Sequence, residues 1–147
     1  MRNPLELLKR IQEQKKRQAR LSYAKAERTV AAQHQRLVDV EEALGSAHDL
    51  DEQLRDDPDE ALWLAQSHAH RLRLEMRRRQ ESRSLLASQQ EAEARRDDLI
   101  AESREDELYQ RLLESQQEQA QVEARRAESH AMDEAAAIRW WSTEGAK

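Results

Sequence analysis

Cysteine and phenylalanine are missing from the 147 residues, glycine and proline occur twice each, and aromatics amount to 3%. Without cysteine there is no disulfide staple, which suits a reducing compartment. Two isolated glycines cannot build a phosphate-cradling loop, so the chain binds no ATP. Few bulky side chains leave little material for a compact core, whose burial must offset the entropy of ordering the chain. Long apolar runs are also missing. The opening Met1-Arg2-Asn3-Pro4-Leu5-Glu6 lacks the apolar stretch of a signal peptide, and nothing later approaches the roughly 20 apolar residues that span a bilayer. The chain reads as soluble and cytoplasmic.

What is present is charge and helix-forming capacity. Charged residues make up 37% of the chain and the apolar types another 37%, with Ala, Glu, Arg, Leu and Gln dominant. A helical hairpin needs only one apolar seam along each helix, so this composition suits long helices. The net charge of -5 hides basic runs at Lys15-Lys16-Arg17 with Arg20, at Arg71 to Arg79, and at Arg95-Arg96. On long helices such runs are solvated faces, or surfaces for acidic partners, before they are nucleic-acid contacts.

The four breakers mark the helix ends. Asn3-Pro4-Leu5-Glu6 supplies an N-cap, a proline at the first helical position and an acid in the first turn, and Asp57-Pro58-Asp59-Glu60 repeats that order. Gly45 and Gly145 are placed to close helices in the left-handed conformation. The expectation is one coiled-coil domain over residues 1–147, with helix one at about 4–46, an acidic connector at about 47–57 and helix two at about 58–141. The fold class is all-α, an elongated antiparallel two-helix coiled-coil hairpin with unequal helices.

Two interleaved heptad series run along helix one: Ala19, Ala26, Val40 and Ala47, with Gln33 as the polar exception, and Tyr23, Val30, Leu37 and Leu44. That regularity excludes a disordered chain, which the composition alone would allow. Leu5, Leu8 and Ile11 form a separate apolar patch. Helix two is expected to open its seam with Leu62, Ala65, Ala69, Leu72 and Met76, and to lose it at Arg79 and Arg83. The seam then restarts on another phase with Leu85, Ala92 and Leu99 and finishes with Leu113, Ala120, Ala124, Ala127, Ala131 and Ile138. Folding back at the connector leaves about 40 residues of helix two unpaired, roughly 60 Å. Either that segment docks into another protein or the middle of the chain breaks into shorter helices.

No catalytic constellation emerges. His68 and His70 point to different faces, and His34, His48 and His130 are isolated, so no metal site is expected. Asp49, Asp51, Asp57 and Glu60 fall at the spacing of a calcium loop. However, Leu54 stands where a glycine must turn, and Arg55 and Pro58 spoil the ligand shell. Exposed carboxylates have nothing to separate their pKa values. The chain is read as a non-enzyme with no cofactor and no small-molecule substrate. Lys9 to Arg20 ahead of a heptad seam has the outline of a basic zipper. Glu13 interrupts it, and alanines stand where a zipper prefers leucine, so no nucleic-acid partner is expected. Trp140 and Trp141 are either the cover of the last helical turn or an anchor for a partner's pocket.

These features resemble the stalk proteins of the flagellar and type III secretion export apparatus, the FliJ family, also related to the YscO group. Pro4-Leu5-Glu6-Leu7-Leu8 with Ile11, and a charged run to Ala19 and Ala26, are similar to the family's opening. Asp59-Glu60-Ala61-Leu62-Trp63 matches in position after the connector. Glu128-Ser129-His130-Ala131-Met132-Asp133-Glu134, with Ala136 and Arg139-Trp140, is similar to the Asp-Glu signature of its close. The chain departs from the family in carrying Val40 and Leu44 where members carry tyrosines.

The resemblance implies a coiled-coil stalk in the central pore of a hexameric export ATPase, promoting its assembly and activity and coupling it to the cytoplasmic domain of the export gate. It also implies escort of substrate chaperones. The location implied is cytoplasmic, at the inner-membrane export apparatus and peripheral to it. Leu5, Leu8, Ile11, Met132, Asp133, Glu134, Ile138 and Trp140 are assigned to the ATPase, and Leu37, Leu44, Leu62 and Leu72 to the gate. The alternative function is a generic scaffold or tether that self-associates through its seam, and after it a basic-zipper-like nucleic-acid binder. Whether a flagellum or a related injectisome is served stays open.

Overall fold

The computed structural model describes residues 3–56 and 60–145. Two helices occupy almost all of it, α1 over Pro4–Arg55 (52 residues) and α2 over Ala61–Glu144 (84 residues). They pack antiparallel, as the heptad pattern predicts. The chain divides into two compact units, one of Lys15–Glu102 and one of Met1–Gln14 with Ser103–Lys147.

α1 starts as its sequence requires. The Asn3 side-chain oxygen accepts from the Leu5 N–H at 3.1 Å, and the Asn3 carbonyl accepts from the N–H groups of Glu6 and Leu7. An N-terminal donor that would otherwise lack a partner is thereby satisfied, and Glu6 in the first turn favours the helix dipole. The matching Asp57-Pro58 start of helix two lies outside the described residues.

Gly45 does not end α1. The helix runs through it to Arg55, with no positive φ at any described glycine, so most of the expected connector is helix. The reason lies in the seam. Ala47, Asp51 and Leu54 continue the spacing of Val40 and Leu44, and Ala47 and Asp51 are buried. Packing at these positions outweighs the roughly 1 kcal/mol that an interior glycine costs relative to alanine. α2 is likewise unbroken. It ends three residues later than expected, where the Gly145 N–H donates to the Trp141 carbonyl at 2.8 Å.

Within the unit of residues 15–102, the α1 seam is the one its heptads announce. Ala26, Val40 and Ala47 are buried, and Ala19, Tyr23, Val30, Gln33, Leu37 and Leu44 are half-buried. The α2 seam is not the expected one. Leu62 and Met76 are each 70% exposed and Leu72 is exposed too, whereas Ser67 and Leu74 are buried and Leu64 and Arg71 half-buried. From Leu64 the α2 seam keeps the phase of Leu85, Ala92 and Leu99, so the expected change of phase is absent. This face also carries polar contacts to α1. Asp51 is buried on α1, and one of its carboxylate oxygens accepts from the Ser67 hydroxyl while the other accepts from Arg71 Nη1 at 2.9 Å. A carboxylate in a helix seam needs donors opposite it, and Ser67 and Arg71 supply them where the Leu62, Ala65, Ala69 and Leu72 face has none.

In the other unit, Leu5, Lys9 and Gln12 continue the seam spacing on α1, opposite half-buried Asp106, Tyr109 and Leu113 on α2. Gln12 is buried, and Lys9 Nζ meets Asp106 Oδ1 at 2.7 Å, with both side chains largely covered. Asn3 donates to the Gln116 amide oxygen at 2.7 Å. Every described residue from 114 to 145 is exposed.

Candidate functional site

Several surfaces among the described residues expose apolar side chains. The first is the end of α2. Met132 is 73% and Ile138 68% exposed, and Trp140 and Trp141 are exposed beside them. The two indoles meet edge to face, 5.3 Å between centroids and at 84°. The last turn is tied by hydroxyls, with Ser142 and Thr143 each donating to the Arg139 carbonyl at 2.9 Å, so the tryptophans stand on an ordered helix end. Successive residues turn about 100°, so Met132 and Ile138 project about 120° apart, with Trp140 on a third side. The exposed apolar groups therefore surround the helix. Asp133 and Glu134 are exposed among them.

The start of α1 was expected to join this surface, and the structure divides that set. Leu5 is half-buried in the seam, whereas Leu8 and Ile11 are exposed on the outer side of α1 with Leu7. Asn3 reaches α2 at Gln116. Met132 lies sixteen residues further along, about 24 Å at the helical rise. The two halves of the expected ATPase set are thus separate patches.

The second surface is an outward stripe on α2. Leu62 and Leu72 from the expected gate set lie on it with Ala65, Ala69 and Met76. Leu37 and Leu44 do not; they are half-buried in the α1 seam. Sequence reasoning missed Met76 as a surface residue, and missed the buried Asp51 and Ser67 and half-buried Arg71 on the opposite face. The signal for the latter was an acid falling on seam phase, seven residues beyond Leu44.

Neither surface has the chemistry of an active site. Among the described residues no cluster of three or more His, Asp or Glu could hold a metal ion. The Tyr23 phenol is pushed above its ordinary range by its hydrogen bond to Glu27, and Arg95 is raised by its hydrogen bond to Glu91. Both pairs lie within one unit, with Glu27, Glu91 and Arg95 exposed and Tyr23 half-buried. No described helix is long and apolar enough to cross a membrane.

An antiparallel helical hairpin with exposed apolar groups around one helix end and along one outward stripe defines a coiled-coil partner-binding protein. The particular family follows from comparison: the model of the flagellar FliJ protein family matches residues 1–145, and the chain belongs to that family. No curated protein and no solved structure matches it. Membership makes the chain a non-catalytic component of the flagellar export apparatus, which decides between the flagellar and injectisome alternatives left open by sequence.

Proposed function

We propose that this protein is the central stalk of the flagellar export ATPase, inserted in the pore of the hexamer by the end of α2. The observation that carries the reading is the exposure of every described residue from 114 to 145, with apolar groups on several sides of the helix. A helix that packs against one neighbour needs one apolar face, whereas a helix ringed by subunits meets protein on all sides. Met132, Ile138 and Trp140 supply the apolar contacts, and Asp133 and Glu134 the charged ones. Only unequal contacts can bias six equivalent subunits toward different states, and an asymmetric helix provides them. Leu8 and Ile11 form a second contact for the ATPase, with Leu5 holding the base of that patch in the seam.

The gate contact is assigned to the outward stripe of α2, through Leu62 and Leu72. Leu37 and Leu44, being half-buried, support the hairpin beneath it. Action in the cytoplasm at the inner-membrane apparatus, and escort of substrate chaperones, complete the proposal.

The test is the ATP hydrolysis rate of the cognate export ATPase titrated with this protein, with light scattering of both. The stalk reading expects a saturable rise at about one chain per six ATPase subunits. Met132→Asp with Ile138→Asp should abolish the rise and leave helicity intact. No stimulation by the parent protein, together with self-dimerisation, would favour the scaffold alternative.

A further inference from the structure

α2 carries two competing stripes in its first turns. Leu62, Ala65, Ala69 and Leu72 follow one another at steps of three, four and three, and Leu64, Ser67, Arg71 and Leu74 do so two residues later. An offset of two residues is about 200° of helical rotation, so the stripes lie on opposite faces. The more apolar stripe, extended by Met76, faces outward, and the one holding a serine and an arginine faces α1. Over these first turns hydrophobic burial alone would choose the reverse, although further along α2 the Leu62 phase meets Arg79 and Arg83 while the inward phase continues through Leu85, Ala92 and Leu99.

We propose that Asp51, Ser67 and Arg71 act as a face selector, holding the Leu62–Met76 stripe outward as the docking face for a helix with acidic flanks. Asp51 is 3% exposed and binds both partners, and the second nitrogen of the Arg71 fork approaches His68 Nδ1 at 3.2 Å. A buried carboxylate is tolerated only where donors meet it, so it rejects the all-apolar face of α2 more strongly than it favours its own. A polar residue at one seam position specifying how two helices meet is a well-attested use of buried charge.

The kind of partner follows from what flanks the stripe. Arg73, Arg77, Arg79 and Arg83 are exposed beside and beyond it, and with Met76 they line a shallow groove. The acids nearby, Glu75 and Glu81, are both half-buried toward the α1 side, although Glu81 also touches the groove. The stripe is narrow, about 80° of the helix, and its alanines at 65 and 69 let another backbone come close. A lipid surface would call for a wider apolar face with larger side chains. Narrow spacing with small central residues fits one helix of alternating three-four apolar pattern, carrying Glu or Asp where the arginines lie. This inference rests on the assignment of the stripe to partner contact, and names the segment that the gate would bring.

The chain has no cysteine, so a single introduced thiol reports on each face. In full-length L74C and M76C proteins, the thiol at position 76 should react at least about tenfold faster than that at 74. Adding Asp51→Leu leaves Arg71 unpaired and should bring the ratio near one or reverse it. The double change D51L/R71L removes the stranded charge and should restore the ratio. An unchanged ratio in D51L with helicity intact overturns the selector.

Docking is probed with a four-heptad synthetic helix bearing Leu at the seam and Glu at the flanks, its Lys-flanked counterpart, and phosphatidylglycerol vesicles. The Glu-flanked helix should bind saturably and weaken at least about tenfold in R73E/R77E. Equal binding of both helices, binding of neither, or binding of vesicles in preference overturns the acidic-helix assignment. Binding of the gate's cytoplasmic domain to L62D/L72D decides the gate reading separately. Undiminished gate binding sinks that reading and leaves the thiol ratio as measured.

Discussion

Asn3, Gly45, Tyr23 and the Lys9–Asp106 pair each do one local thing that can be measured alone. A Cβ added at Gly45 meets nothing within 4 Å, and the residue has helical neighbours on both sides. Gly45→Ala should therefore stabilise the hairpin by about 0.5–1 kcal/mol, read as a higher midpoint in thermal circular dichroism. Asn3→Ala removes both the acceptor of the Leu5 N–H and the donor to Gln116, and should cost about 1–2 kcal/mol in the same measurement.

Asp106→Ala leaves the largely covered Lys9 ammonium with Glu13, 3.8 Å away, as an ionic neighbour. A loss of about 1–3 kcal/mol is expected, most of it recovered by adding Lys9→Met in a double-mutant cycle. The Tyr23 shift can be read spectroscopically. Its raised value means that the fold favours the neutral phenol. That contribution is present below the unfolded pKa and is lost as pH rises through the folded one. Glu27→Ala removes the main cause, the hydrogen-bond acceptor, so the ultraviolet titration of Tyr23 should move down.

At the level of the helices, α1 was readable almost residue by residue and α2 was not. Ala26, Val40 and Ala47 are apolar, fall on one heptad phase and are buried on it, so composition and geometry agreed. In α2 the best apolar phase, Leu62 to Met76, is the outward one. Periodicity measures where apolar groups lie, and it cannot weigh a single carboxylate on the opposing helix. The same blindness turned the last turns of α1 into a connector, because Gly45 and the acids after it look like a stop until Asp51 is recognised as a seam residue. Of the residues expected to meet a partner, Met132, Ile138 and Trp140 are exposed, because no part of α1 covers them. The Leu37 and Leu44 assignment could not be separated from the seam by pattern. The exposed end of α2 makes a further prediction. Removing residues 121–147 should shift the thermal midpoint by no more than about 2 °C while abolishing stimulation of the ATPase, because no described residue there is buried.

Across the whole molecule, the bonds joining the two helices sort by the length of chain they close. Ser67 with Asp51 spans 16 residues and Arg71 with Asp51 spans 20, whereas Lys9 with Asp106 spans 97 and Asn3 with Gln116 spans 113. Loop-closure entropy rises with that span, so the short closures form at the lowest cost. The Asp51 contacts should thus form before those of Lys9 and Asn3 as the chain folds. Kinetics should carry the imprint: Ser67→Ala slows refolding in a stopped-flow chevron, while Asp106→Ala leaves refolding unchanged and speeds unfolding. A hairpin that closes from its turn like a zipper also opens from its free ends. Strain arriving at the start of α1 would be spent first on the Asn3 and Lys9 contacts.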